Sequence, residues 1–246
     1  MNVLVVGALG VMGGHVINAV TRAGGKCTAF VDIKYQDDKK ANEYTKISDV
    51  KEKCDVIIDF SFHGLTKEIL DYAVDTQTPV IVATTGHTDE EKDEIYNASK
   101  NVAVFYTGNM SVGIATLCDA VKKVVSAFPD ADIEIIETHH TRKLDAPSGT
   151  AKMIFDAVKE ARPSVVANYG RNGICKREKD EVGINSIRIG NIVGIHEVRI
   201  GTATEQITLK HEAYDRALFA DGAIKAAEFM VGKPSGLYTM KELLKD

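Results

Sequence analysis

The residues with most chemical potential stand together in Glu137-Thr138-His139-His140-Thr141-Arg142-Lys143, followed by Leu144-Asp145-Ala146-Pro147-Ser148-Gly149-Thr150-Ala151. Two imidazoles, a guanidinium and an ammonium precede a stretch whose spacing predicts a helix. Ala151, Ile154, Phe155 and Val158 fall at i, i+3, i+4 and i+7, so one face is apolar. Ser148, just after Pro147, suits the N-cap. The first N–H groups of such a helix lack intrahelical partners and carry the positive end of the macrodipole, and Gly149 and Thr150 leave room for a ligand. A carboxylate or phosphate fits there. Taken alone, the stretch also fits a solvated loop, with Arg142 and Lys143 in water. Its surroundings must decide.

Stepping outward, Ile133 to Glu137 reads as a strand, which puts the cations on a strand-to-helix loop, where functional residues concentrate. A second informative unit opens the chain. Val3-Leu4-Val5-Val6 has the pattern of a strand buried on both faces of a parallel sheet. It runs into Gly7-Ala8-Leu9-Gly10-Val11-Met12-Gly13, then a helix with Met12, Val16 and Val20 on one side. Glycines at that turn let the backbone approach a pyrophosphate at the helix start. A strand from Cys27 to Val31 is closed by Asp32, nineteen residues after Gly13, near the spacing at which an acid meets the adenosine ribose. The spacing is G-x-x-G-x-x-G, with Leu9 in the usual second-glycine place. An ordinary glycine turn has the same letters, but strand, glycines, helix, strand and acid in this order point to a dinucleotide. Asp32 favours free ribose hydroxyls and hence NAD, whereas Lys34 offers a cation to a 2′-phosphate. NADH and NADPH both stay open.

Strand and helix patterns then alternate: Asp55 to Phe60, Leu65 to Asp75, Pro79 to Ala83, Thr88 to Ser99 with a Thr88/Glu91 capping box, and Val102 to Tyr106. The expected architecture is α/β, a Rossmann-type doubly wound parallel sheet with its ligand beyond the carboxyl ends of the strands. The loops there are Ser61-Phe62-His63-Gly64, Thr84-Thr85-Gly86 and Thr107-Gly108-Asn109-Met110. His63 and His87 lie in or beside them without an evident partner and are read as non-catalytic. A helix through Leu117, Val121 and Val125 leads into a second, α+β domain. Pro163 to Gly183 reads as an exposed loop with short strands. Strands follow at Ser186 to Ile189, Ile192 to Ile200 and Glu205 to Glu212, with Gly190-Asn191 as a hairpin signal. Their alternation predicts an open mixed or antiparallel sheet, whose uncovered face is a candidate oligomer interface. His196 and His211 in these strands are read as structural. Arg216 opens an amphipathic helix, and Leu237 to Leu244 reads as a last short one. Both are expected to return to the first domain, giving residues 1–110 with 216–246 for dinucleotide binding and 111–215 for substrate binding and oligomerisation.

The composition narrows the partners. With 246 residues, 44% of them hydrophobic, the chain can bury a substantial core. A formal charge of −5 leaves no basic footprint for nucleic acid or an anionic membrane, so the cations near His139 are local and suit a small anion. Cys27, Cys54, Cys118 and Cys175 lack metal or redox spacing, and no metal site is expected. The first residues have no signal-peptide pattern and no apolar run is long enough to span a membrane. A cytoplasmic protein is expected.

Across nearly its whole length the chain resembles the 4-hydroxy-tetrahydrodipicolinate reductase (dihydrodipicolinate reductase) family. The most specific match is Glu137-Thr138-His139-His140 with Lys143 and Asp145-Ala146-Pro147-Ser148-Gly149-Thr150. Asp59-Phe60-Ser61, Thr84-Thr85-Gly86, Asn109-Met110-Ser111-Val112-Gly113, Gly190-Asn191-Ile192-Val193-Gly194 with His196, and Ser235-Gly236-Leu237-Tyr238 add to it. The resemblance implies hydride transfer from NADH or NADPH to an unsaturated nitrogen heterocycle bearing two carboxylates, with loss of water, in lysine and diaminopimelate biosynthesis. It makes His139 the general acid/base and Lys143 a second proton donor and substrate contact, with His140, Gly149 and Thr150 on the carboxylates. It carries Gly7, Ala8, Leu9, Gly10, Val11 and Met12 to the pyrophosphate and Asp32 to the ribose. Ala83, Thr84, Thr85, Thr107, Gly108, Asn109 and Met110 fall around the nicotinamide. Members are usually homotetramers. Leu9, Val11 and Ala83 depart from the glycine, arginine and glycine common in the family, and the missing arginine removes one phosphate partner. An amino-acid dehydrogenase of similar build, or a non-catalytic dinucleotide sensor, is the alternative; the sensor gives no reason for the cationic loop.

Overall fold

The computed structural model describes residues 1–36 and 40–245. The chain forms two compact units, Met1–Ser111 with Arg216–Asp246, and Val112–Asp215. In chain order the first contributes β1 (Asn2–Val6), α1 (Val11–Arg22), β2 (Lys26–Val31), β3 (Glu43–Tyr44), β4 (Val56–Asp59), α2 (Thr66–Thr76), β5 (Val80–Val82), α3 (Asp89–Ser99) and β6 (Ala103–Tyr106). The second contributes α4 (Val112–Ala127), β7 (Asp132–His139), α5 (Gly149–Ala161), β8 (Val166–Asn168), β9 (Glu181–Arg188), β10 (Gly194–Gly201) and β11 (Gln206–Ala213). The first then resumes with α6 (Ala217–Met230), β12 (Gly236–Tyr238) and α7 (Met240–Leu243).

In the first unit seven parallel strands run in the order β12-β6-β5-β4-β1-β2-β3. The order reverses between β1 and β4, the switch point at which such sheets open a crevice at their carboxyl edge. Apolar runs are needed because both faces are covered. Leu4, Ile57, Val80 and Val104 pack on the side of α2 and α3, while Val3, Val5, Ile58, Ile81 and Phe105 are fully buried on the opposite side. α3 begins with the expected Thr88/Glu91 capping box.

Two readings are corrected here. Leu237 to Leu244 is not one helix: Gly236–Tyr238 pairs in parallel with β6, and only Met240–Leu243 is helical, capped by Thr239. Helical spacing of apolar residues carries no information about a strand edge that lies far away in sequence. His63 and His87 do have partners. His63 Nδ1 meets Glu91 at 2.8 Å, and His87, buried, meets the Thr66 hydroxyl at 2.8 Å through Nε2.

The second unit is a five-stranded sheet in the order β11-β10-β7-β9-β8. It is mixed, since β7 runs parallel to β9 and antiparallel to β10. Gly190-Asn191 therefore does not close a hairpin. β7 lies between β9 and β10, and the turn crosses over its carboxyl end: His139 O accepts from Ile189 N–H at 2.9 Å, and His140 N–H donates to Ile192 O at 2.8 Å. The turn residues fit a reversal, but only long-range pairing could reveal the inserted strand. The true hairpin is β10–β11. β9 also begins earlier than the sequence pattern indicates, at Glu181.

The register locates the polar site. Side chains alternate across a strand, so paired residues on adjacent strands share a face. One face carries Val182, Ile133, Ile200 and Ile207 in one row and Ile184, Ile135, Val198 and Leu209 in the next. All but Ile207 pack under α4 and α5 as the core of the unit. One step further the row is Ser186, Glu137, His196 and His211, and beyond it stand His139 and Arg188. An apolar face thus becomes an ionisable one at the carboxyl end of β7.

Candidate active site

Glu137 is fully buried, and its carboxylate gathers the site. Oε2 accepts from His139 Nδ1 at 2.5 Å and from Arg188 Nη1 at 2.9 Å; Oε1 accepts from Arg188 Nη2 at 2.8 Å and from the Ser148 N–H at 3.1 Å. Burial alone would raise its pKa. Hydrogen bonds from His139, Arg188 and Ser186 outweigh that, and hold the carboxyl well below the usual carboxylate range. Because a carboxylate only accepts, Nδ1 of His139 carries a proton and Nε2 is the nitrogen left to exchange one.

His196 packs edge-on against His139, ring centroids 5.1 Å apart, with Nε2 3.2 Å from the Ser148 hydroxyl. Burial first, then the neighbouring His139, push its pKa from 6.5 down to about 3, so it is a neutral wall to the site. Ser148 caps α5 as expected, its hydroxyl accepting from Ala151 N–H at 3.1 Å. Gly149, which follows it, is exposed, Thr150 and His140 are half-buried, and the Lys143 ammonium sits 2.8 Å from Asp145. Arg142 is exposed, bonded to Asn191 at 2.5 Å.

His139, His140, Lys143, Gly149 and Thr150 all lie at or just beyond the carboxyl end of β7. The sequence reading missed the roles of Glu137 and Arg188 and the contact of His196. The signal was present as strand phase. Glu137 and His139 alternate with Ile133 and Ile135 on the inward face, and Arg188 follows Val182 and Ile184 in the same phase.

In the first unit the glycine turn fits a dinucleotide. Gly7 has φ +79°, and a Cβ there would stand 2.7 Å from Phe60 O; one on Gly13 would stand 2.3 Å from Gly7 O. Only bare backbone lets the turn lie this close to β4 and to α1. Asp32 ends β2 and accepts from the Leu9 and Lys34 N–H groups, both at 3.0 Å. Leu9 and Val11 are exposed, so neither departure enters the core. A cleft of about 570 Å³ opens beside this turn, lined among others by Gly7, Gly10, Asp32, Lys34, Lys46 and Phe62. At the end of β4, buried Asp59 accepts from the Ser61 N–H at 2.8 Å and the Thr84 hydroxyl at 3.0 Å, fixing two of the three loops at the sheet edge. The third is anchored by Thr107, whose hydroxyl accepts from Asn109 N–H, and by buried Met110. Among the described residues no three His, Cys, Asp or Glu side chains gather as a metal site, and no helix is long and apolar enough to cross a membrane.

A doubly wound sheet with a dinucleotide cradle, and a second unit holding a buried carboxylate–imidazole pair, define the class of two-unit nicotinamide-dependent oxidoreductases. Comparison with known proteins gives the family. Residues 1–110 match the model described as dihydrodipicolinate reductase, N-terminus, and residues 113–244 the one described as dihydrodipicolinate reductase, C-terminus. A 4-hydroxy-tetrahydrodipicolinate reductase of Clostridium novyi is 43% identical, covering 99% of this chain and 98% of its own. One from Alkaliphilus metalliredigens is 40% identical, covering 99% of each. The fold is shared with the dipicolinate-bound dihydrodipicolinate reductase of Paenisporosarcina sp. TG-14, at TM-score 0.79, 22% identity and 97% coverage of both chains. The chain belongs to the dihydrodipicolinate reductase family, whose members use NADH or NADPH.

Proposed function

We propose that this chain reduces 4-hydroxy-tetrahydrodipicolinate to tetrahydrodipicolinate with NADH or NADPH, with loss of water, in lysine and diaminopimelate biosynthesis. The observation that carries the chemistry is the buried Glu137–His139 pair beside the start of α5. A bound reduced nicotinamide supplies the hydride. Hydride arriving at a conjugated imine leaves negative charge on the heterocycle that must be protonated or neutralised. His139 is oriented for this, with Nδ1 engaged by Glu137 and Nε2 left to give the proton. Lys143 supplies the second proton and a positive field. The amides of Gly149 and Thr150 at the positive end of α5, with His140, hold the substrate carboxylates. Such anchoring fixes the reacting carbon, and positioning supplies much of the rate.

In the first unit Gly7, Ala8, Leu9, Gly10, Val11 and Met12 would hold the pyrophosphate and Asp32 the ribose. Ala83, Thr84, Thr85, Thr107, Gly108, Asn109 and Met110 would hold the nicotinamide end. Lys34 and Lys46 line the cleft with Asp32 and Glu68, so a 2′-phosphate would meet cations as well as anions. A homotetramer built through the uncovered sheet face is supported by Ile136, Ile187 and Ile195, which point away from the core. Free, dispersed cysteines suit the cytoplasm.

Dipicolinate, the ligand in the Paenisporosarcina structure, is a planar dicarboxylate probe for this site. It should inhibit competitively against the heterocyclic substrate and weaken when Lys143 is changed to alanine. An amino-acid dehydrogenase would instead turn over amino acids and ignore dipicolinate.

A further inference from the structure

We infer that the buried Glu137–Arg188 pair is the positioning element of the site, one carboxylate fixing both the nitrogen that His139 presents and the place of the first amides of α5. The inference rests on the reading of His139 and α5 above and extends it to Glu137 and Arg188.

Donors converge on both oxygens of Glu137: His139 Nδ1–H and Arg188 Nη1 on Oε2, Ser148 N–H and Arg188 Nη2 on Oε1, with the Ser186 hydroxyl as a further donor. The guanidinium and the Ser148 N–H cannot become acceptors, and the imidazole nitrogen does so only by giving up its proton. Glutamine at this position has one oxygen and one NH2 group. If the NH2 faces Ser148, the helix start loses its tie; if it faces His139, the ring must move its proton to Nε2 or turn away. Either outcome damages one half of the site. Arg188 reaches further, because Nη2 also donates to Asp145 O at 2.6 Å, in the loop between Lys143 and Ser148. The guanidinium therefore aligns both carboxylate oxygens and holds that loop, a bidentate task for which a lysine has the charge but not the geometry.

The charged and titratable groups around the pair are His196 from β10 and Lys143 and Asp145 from the loop, with the neutral Ser186 hydroxyl beside Arg188 on β9. Neither His196, nor Lys143 in its bond to Asp145, donates to Glu137. Arg188 alone balances the buried carboxylate besides His139.

The test uses the full-length protein and the variants Glu137→Gln, Arg188→Lys and His139→Gln. Substrate KM, kcat, NADH affinity, melting temperature and the ¹⁵N spectrum of labelled histidine are measured for each. Glu137→Gln is expected to bind NADH as the parent does, to lose at least about tenfold in kcat, and to raise substrate KM. Where the glutamine NH2 faces His139, the Nδ1-protonated form in its spectrum gives way to the other tautomer or to a mixture; where it faces Ser148, the Nδ1 proton stays and substrate KM rises. Arg188→Lys is expected to keep the Nδ1 proton and raise substrate KM. A Glu137→Gln enzyme with parental kcat and KM, or with the Nδ1 proton of His139 intact together with an unchanged substrate KM, overturns the inference. If that variant does not fold, Arg188→Lys decides: unchanged substrate KM overturns it. His139→Gln separates the two levels, because parental turnover there refutes the reading of His139 itself. Loss of turnover in His139→Gln but not in Glu137→Gln refutes only the positioning role.

Discussion

His139 is oriented rather than merely present. A loop histidine samples several rotamers, whereas this one is buried, bonded through Nδ1 and flanked by a neutral imidazole. Its removal should therefore cost chemistry more than binding. For His139→Gln we expect kcat to fall by about 10²- to 10⁴-fold, the span of a positioned general acid, with little change in substrate KM. Lys143→Ala should damage both constants, since the proposed roles of its ammonium are charge and anchoring; a variant altered in KM alone would remove it from proton transfer. Steady-state kinetics checks both. At this scale the sequence was half legible. Residue types and the helix start revealed the cations and the anion site. The acid that organises them is a glutamate in an inward strand phase, and nothing in its local motif gives it a role.

At the scale of elements, the cap of α5 is both structural and functional. Ser148→Ala should cost about 1 kcal/mol of stability, typical of a lost N-cap. It should also raise substrate KM, because the first turn frays where the carboxylate binds; thermal melts with kinetics test this. α6 makes a parallel case in the first unit. A Cβ on Gly222 would stand 1.8 Å from Met110 O, so the helix lies on the loop assigned to the nicotinamide only because residue 222 is glycine. Gly222→Ala should lower the melting temperature and weaken NADH binding, measured by fluorescence, more than substrate binding. Elements defined by local pattern, such as β1, α1, the capping box of α3 and α5, were readable in the sequence. Those set by partners remote in sequence were not: β12 joins β6 across the whole second unit, and β7 inserts between β9 and β10.

For the whole molecule, burial of ionisable groups makes stability depend on pH. His196 has a folded pKa of about 3 against an ordinary 6.5, so the unfolded chain binds the extra proton first. Its contribution is complete above about pH 6.5 and is lost as pH falls toward about 3. Glu137, also depressed, adds a loss in the same direction below the usual carboxylate range. The denaturation midpoint should fall steadily on acidification from neutrality, and His196→Gln should flatten that slope; an unaltered slope would contradict neutral burial of His196. The proposed function at this scale rests on a dinucleotide cradle in one unit and a proton donor beside an anion site in the other. The most direct measurement is loss of nicotinamide absorbance with freshly generated 4-hydroxy-tetrahydrodipicolinate, run with NADH and NADPH in parallel and with amino acids as controls. Rapid oxidation of at least one cofactor with the heterocycle, and none with the amino acids, is predicted. Cofactor binding without oxidation, or turnover only with an amino acid, would contradict it.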